Sequence, residues 1–286
     1  MDVASTLVLA RWGYFLSVMI LFGSTLFPFY ALNRSGTASR AQQPRGINLA
    51  LALATIAFAG VWLVSFAAGL TDREGTLEAL SGVLLETGFG PVWIARISLV
   101  ILLLGASLWG PPGFVPAITF LILTCEGWQG HAAVWGIVGS LSQAVHVAAA
   151  AAWIGGLVPL GRLIVAARRD PTATAEVVTA LGRFSSMGVA AVALIAVTGA
   201  LNTWQMLGGV PDPGDAYGRV LLIKISLFAA MVCLALHNRY FLLEKRMKVA
   251  PAQGLRTLSR NVLLEQILGF AVLLDVSALG LMAPNM

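Results

Sequence analysis

Long apolar runs, broken at short intervals by glycine, proline and charge, are the first pattern along this chain. Eight are helix-sized: residues 8–31, 47–70, 91–109, 114–134, 140–160, 184–206, 219–240 and 262–283. None alternates apolar and polar positions as barrel strands do. An α-helix crosses a hydrocarbon core of about 30 Å with roughly 20 apolar residues. Inside that core every backbone polar group has to be paired within the protein. The pattern predicts an all-α, polytopic membrane bundle of about eight spans, a single transmembrane domain over 1–286 with no soluble domain. The breaks carry turn-forming residues, among them "NRSGTASRAQQPRG" after the first run, "WGPPG" after the third and "GGVPDPGDAYG" after the sixth. Segment 71–90, "TDREGTLEALSGVLLETGFG", is too polar to span and predicts a short helix at the membrane interface. The N-terminus lacks the basic region and small-residue cleavage site of a signal peptide, so the first run is expected to stay as a helix.

Composition agrees with this reading. Hydrophobic residues make up 58% of the chain and charged residues 11%, against about a quarter in soluble domains. The net charge of +5 does not point to nucleic acid, because the basic residues sit in short loops rather than in an aromatic-laced block. Loop 33–46 carries three Lys or Arg, 162–183 four and 239–260 six, while the loops on the other side have only Arg73 and Arg219. That bias puts the basic loops in the cytoplasm and both termini in the periplasm. Asp72, Glu74, Glu78, Glu86, Asp212 and Asp215 then lie on the outer side. Cys125 and Cys233 fall within apolar segments and form neither a CxxC nor a zinc pattern, so no disulfide is expected.

Ionisable residues within membrane spans mark functional positions by default. Here they are Arg11, Arg96, Glu126, His131, His146, Lys224, His237, Glu265 and Asp275. Arg96, Lys224 and Asp275 form a candidate intramembrane charge network, in which Arg96 or Lys224 could neutralise Glu126 or Asp275. His237 and Glu265 fall near the cytoplasmic ends of the last two spans and form a candidate pair. His131 and His146 are the candidate metal ligands. On one continuous helix they would stand about 22 Å apart along the axis. Gly136, Gly139 and Ser140 instead favour a turn between the fourth and fifth spans, which brings both imidazoles to similar depth near the outer surface. Neutral imidazole is the commonest nitrogen ligand for metals. Glu126, Met206 and Met282 are candidate further ligands, alongside water or a group lent by a partner. Glu126 is about 140° around an ideal helix from His131, so only a break at Gly127 or Gly130 would turn it toward the histidines.

The stretch "GHAA…SQAVHVAAAAAWIGGLVPL", with "RFSSMGVAAVALIAVTG", "YGRVLLIK", "HNRY" and "NVLLEQILG", resembles the signature of the CopD family of bacterial inner-membrane copper proteins. The resemblance runs through nearly the whole chain and is strongest from residue 130 onward. It implies a copper-handling, non-enzymatic protein of the bacterial cytoplasmic membrane, with His131 and His146 as copper ligands. Trp153, Tyr217, Lys224, Asn238, Arg239 and Glu265 match other recurrent positions of the family. It also implies a separate periplasmic CopC-like copper carrier as partner, since the chain has no such region of its own. Three functions follow: an importer with an outward two-histidine site; a copper relay or assembly factor without flux; and an electron-transfer protein with the two histidines as axial ligands of a haem b.

Overall fold

The computed structural model describes residues 2–32, 43–70, 75–170, 174–246 and 249–283. The described residues are helical throughout their ordered elements. They comprise α1 (Val3–Ala31), α2 (Arg45–Ala68), α3 (Thr76–Leu85), α4 (Gly90–Trp109), α5 (Phe114–Thr124), α6 (His131–Val134), α7 (Gly136–Arg169), α8 (Thr174–Leu207), α9 (Ala216–His237) and α10 (Pro251–Leu279). Seven are long and apolar enough to cross a membrane: α1, α2, α4, α7, α8, α9 and α10. The chain is thus a polytopic helical membrane protein. Helix starts follow local chemistry: the carboxylate of Asp2 accepts from the amide of Ser5 at 2.9 Å, and that of Asp215 from Gly218 at 3.1 Å. Both caps satisfy amides that have no partner inside the helix.

The expected fourth span, 114–134, differs from expectation. The α-helix stops at Thr124, Cys125–Trp128 tighten into a 3-10 turn, and the chain then turns at Gly130 and Gly136. Both glycines have φ near +65° (65° and 63°), a backbone region that costs L side chains dearly. The helix following the turn runs longer than expected, from Gly136 to Arg169. The short helix anticipated in 71–90 is present as α3. Arg34, Arg40, Asp72, Arg73, Glu74 and Lys248 fall outside the described residues.

Two helices form the centre. α1 and α7 have 61% and 67% of their apolar windows buried, whereas the helix beginning at Ala216 has 11%. Their crossing is made by glycine. A side chain at Gly155 would run into the carbonyl oxygen of Met19, and one at Gly23 into the backbone of Gly155 and Gly156. Without a hydrophobic driving force between helices in lipid, such close backbone approach supplies the dispersion contact that holds spans together. Around this centre α2, α4 and α5 pack on one side and α8 and α10 on the other, with α9 held chiefly by α10. The indole of Trp12 in α1 donates to the carbonyl of Phe270 in α10 at 3.1 Å, and the Arg11 guanidinium lies against Gly280. The start of α1 and the end of α10 therefore lie at one end of the bundle. Arg168 reaches Ser259 across the opposite end, where the described ends of α7 and α10 carry Arg168, Arg169, Arg256 and Arg260; the charge bias of the sequence assigns that end to the cytoplasm.

Gly155→Val is expected to overpack the α1–α7 crossing and to destabilise by about 1–3 kcal/mol or more. Gly105→Ala, where an added methyl would meet nothing, is expected to be neutral. Thermal unfolding of the two variants in detergent checks both; equal midpoints would mean that the crossing relaxes freely.

Candidate functional site

The break after Thr124 decides the chemistry of the outer half. Gly127 sits directly against the backbone of Ser140, a position no side chain could share. This contact draws the 3-10 turn onto α7 and carries Glu126 inward. There Glu126 is 7% exposed, and its Oε1 accepts from Arg96 Nη2 at 2.6 Å. Arg96 itself is wholly buried. Its guanidinium lies 5.2 Å from the ring centroid of Tyr14, 4.9 Å from Trp62 and 4.7 Å from Trp93. Arg11 lies 4.7 Å from Trp62 and 5.9 Å from Phe15. Trp62 thus serves two guanidiniums. Desolvated cation–π contacts are worth about 2 kcal/mol or more, which offsets part of the cost of burying two cations beside one carboxylate.

A cavity of about 250 Å³ opens beside this cluster, between α1, the 3-10 turn, α7, α8, α9 and α10. Arg11 and Glu126 form one wall; His146, Met206 and Lys224 stand on the others. Glu126 and His146 therefore line the same space, the chain having broken between them at the 3-10 turn, Gly130 and Gly136. Tyr217 donates its hydroxyl to the sulfur of Met206 at 3.6 Å, fixing the thioether at the mouth. Met282 packs in the small apolar cluster of Tyr217, Leu221 and Leu279 just beside it.

His146 is oriented by residues that sequence reasoning passed over. Its Nδ1 lies 2.9 Å from the Thr198 hydroxyl. That hydroxyl donates its single proton to the carbonyl of Leu194 at 2.5 Å, so toward His146 it accepts. With the hydroxyl so used, Nδ1 donates to it as N–H, the tautomer that leaves the lone pair on Nε2; the opposite tautomer would require the hydroxyl to turn from Leu194 to Nδ1. The former is how metal-binding histidines are commonly held by their outer partners. Next to it, Ser142 donates to Asn202 Oδ1 at 2.7 Å, and Asn202 Nδ2 donates to Gln143 Oε1 at 2.9 Å. Ser142 and His146, like Thr198 and Asn202, are four apart and share a helix face. That spacing of polar residues in apolar runs was the signal available in the sequence.

His131 opens α6, which packs against the 3-10 turn, α7 and α8; its side chain lies outside the described residues. Among the described residues no three His, Cys, Asp or Glu side chains gather as a metal cluster. The charge network divides into two: Arg96 pairs with Glu126, while Lys224 and Asp275 act on each other electrostatically across α9 and α10. The expected pair of His237 with Glu265 is not formed. His237 is exposed and stacks on Phe241 at 5.3 Å, because the helical turn at that point faces the next residue inward. Asn238 takes its place, donating to Glu265 Oε1 at 2.6 Å and accepting from Asn261 at 2.6 Å.

Comparison with known proteins follows the same outline. Residues 178–279 match the family described as Copper resistance protein D, and residues 1–139 match the Copper resistance protein D-like N-terminal domain. The inner membrane protein YebZ of Escherichia coli (strain K12) is 29% identical over 302 residues, covering 98% of this chain and 99% of that protein. Copper resistance protein D of Pseudomonas syringae pv. tomato is 27% identical over 98% of this chain and 97% of its own length. The copper transport protein CutJ of Bacillus subtilis (strain 168) is 32% identical over 68% of this chain, which spans 37% of that longer protein. No solved structure matches the chain.

Glu126→Gln keeps the shape of the carboxylate and removes its charge. Leaving Arg96 buried without a counter-ion is expected to destabilise by about 3–5 kcal/mol, read as a lowered unfolding midpoint. The double variant Arg96→Met with Glu126→Leu is expected to recover most of that loss. A stable Glu126→Gln variant would mean that the three rings alone hold the guanidinium.

Proposed function

The chain belongs to the copper resistance protein D family of multi-pass inner-membrane proteins, and from that premise we propose that it takes up copper at the outward cavity and passes it toward the cytoplasm. The observation that carries the reading is His146, held through Nδ1 by Thr198 at 2.9 Å, on the wall of a cavity that Met206 also lines. His131, at the start of the short helix over the same end of the bundle, is the second imidazole of the proposed site. Soft thioether ligands select Cu(I). The charge balance points the same way: among the residues lining the cavity Arg11 and Lys224 outnumber Glu126, and repulsion of a divalent ion would be twice that of a monovalent one. Glu126 is held by Arg96 and so serves the site as a fixed counter-charge rather than as a ligand. A periplasmic CopC-like carrier would deliver the ion, since a cavity of net positive charge collects free cations poorly.

One observation favours a second reading, a relay without flux. Inward of His146 the rings of Trp153 and Phe228 meet edge to face at 6.1 Å, and the space beyond them is lined by apolar side chains until Ser185, Asn238, Arg239 and Glu265. An ion path through that point needs these rings to part.

Purified protein is expected to bind Cu(I) in competition with a chromophoric chelator. His146→Ala should abolish the high-affinity site, and Thr198→Val, which frees the imidazole to rotate, should weaken it by about 10–100-fold. Unchanged affinity in His146→Ala would remove this residue from the site. Sealed vesicles holding only this protein separate the two readings: copper accumulation supports import, and binding without accumulation supports the relay.

A further inference from the structure

The second large cavity is not needed by any copper reading. It is about 310 Å³ in volume and lies in the inner half of the bundle, between α7, α8, α9 and α10. It exists because α8 and α9, although consecutive and antiparallel, barely touch along their spans among the described residues. α9 is held by α10 and stands away from α8. The resulting groove opens sideways, where Val189 and Leu236 at its lips are 53% and 46% exposed. Its floor is Trp153, Leu157 and Phe184, and Ala193 and Ala196 keep the α8 wall low. At its end nearest the basic loops stand Arg239 and Ser185, joined by a hydrogen bond of 2.8 Å from Arg239 Nη1.

We infer that this groove is a binding site for one acyl chain of an anionic phospholipid of the cytoplasmic leaflet, with Arg239 against its phosphate. Three observations combine. The mouth lies at bilayer depth, where the surrounding solvent is hydrocarbon, and an unfilled apolar groove would forfeit its dispersion contacts. Apart from Ser185, Asn238, Arg239 and Glu265 at the polar end, the walls are apolar side chains and glycine that suit an acyl chain. Among the described residues the polar end carries one cation, Arg239, beside Ser185 and the Asn238–Glu265 pair, whose carboxylate already accepts from Asn238 at 2.6 Å, and basic pockets between spans on the cytoplasmic side favour anionic head groups. Arg239 spends one of its five N–H donors on Ser185 and presents the fork geometry that suits phosphate oxygens. The occupant also explains why α9 can stand apart from α8: lipid, rather than protein, completes the packing between them. This inference does not depend on the copper reading.

The test uses full-length protein, washed extensively in detergent and then analysed for retained lipid by native mass spectrometry and by extraction. Wild type is expected to keep about one phosphatidylglycerol or cardiolipin per chain in preference to phosphatidylethanolamine. Ala193→Trp fills the groove and is expected to lose that molecule; Ala193→Phe, a smaller change, guards against misfolding and should lose most of it. Arg239→Gln is expected to retain a lipid but to lose the preference for anionic heads. Unchanged retention in both Ala193 variants would overturn the assignment. So would a bound quinone or neutral lipid in wild type, or a cross-link between two copies through Val189 and Leu236.

Discussion

A carboxylate and a guanidinium buried at 2.6 Å in the outer half of a membrane protein set the terms for everything around them. Neither group can be left alone in hydrocarbon: Arg96 is wholly buried, and Glu126 is 7% exposed at the cavity wall. Bringing them together requires α5 to stop at Thr124 and the chain to wind tightly through Gly127, whose contact with Ser140 admits no side chain. The aromatic cage of Tyr14, Trp62 and Trp93 then receives the rest of the Arg96 charge. The price of the pair is a shortened span. Its return is the cavity, because the turn that carries Glu126 inward leaves room between α1 and α7 through α10.

The two cavities share the same four helices but differ in chemistry for a simple reason. Near the outer end the facing positions of α7 and α8 are Ser142, Gln143, His146, Thr198 and Asn202, which bond to one another and hold the imidazole in place. Deeper, the same helices present alanine, leucine and phenylalanine. Trp153 and Phe228 mark the change. A polar outer chamber thus stands above a chiefly apolar inner groove.

Much of this was legible in the sequence. Helical spans, their charge bias and the shared outer end of the termini follow from apolar run length and loop charge, which are properties of local composition. The likeness to copper proteins rested on His131, His146 and the glycine pair after Trp153, and the family comparisons agree with it. What stayed hidden depends on rotation about helix axes. Arg96 could have met Glu126 or Asp275, and only packing of the 3-10 turn chose Glu126. His237 was expected opposite Glu265, yet one residue of helical rotation gave that place to Asn238. Thr198 and Asn202 carried no signal beyond being polar in an apolar run, and they became informative only once α8 was laid against α7.

The central claim is that His146 supplies a nitrogen and Met206 a sulfur to a single Cu(I) ion. X-ray absorption at the copper edge of the loaded, purified protein measures it most directly. The account gives a Cu(I) edge with a low-coordinate shell of imidazole nitrogen and one thioether sulfur, the sulfur disappearing in Met206→Leu. A Cu(II) edge with an all-oxygen and nitrogen tetragonal shell, unaffected by that substitution, would contradict it.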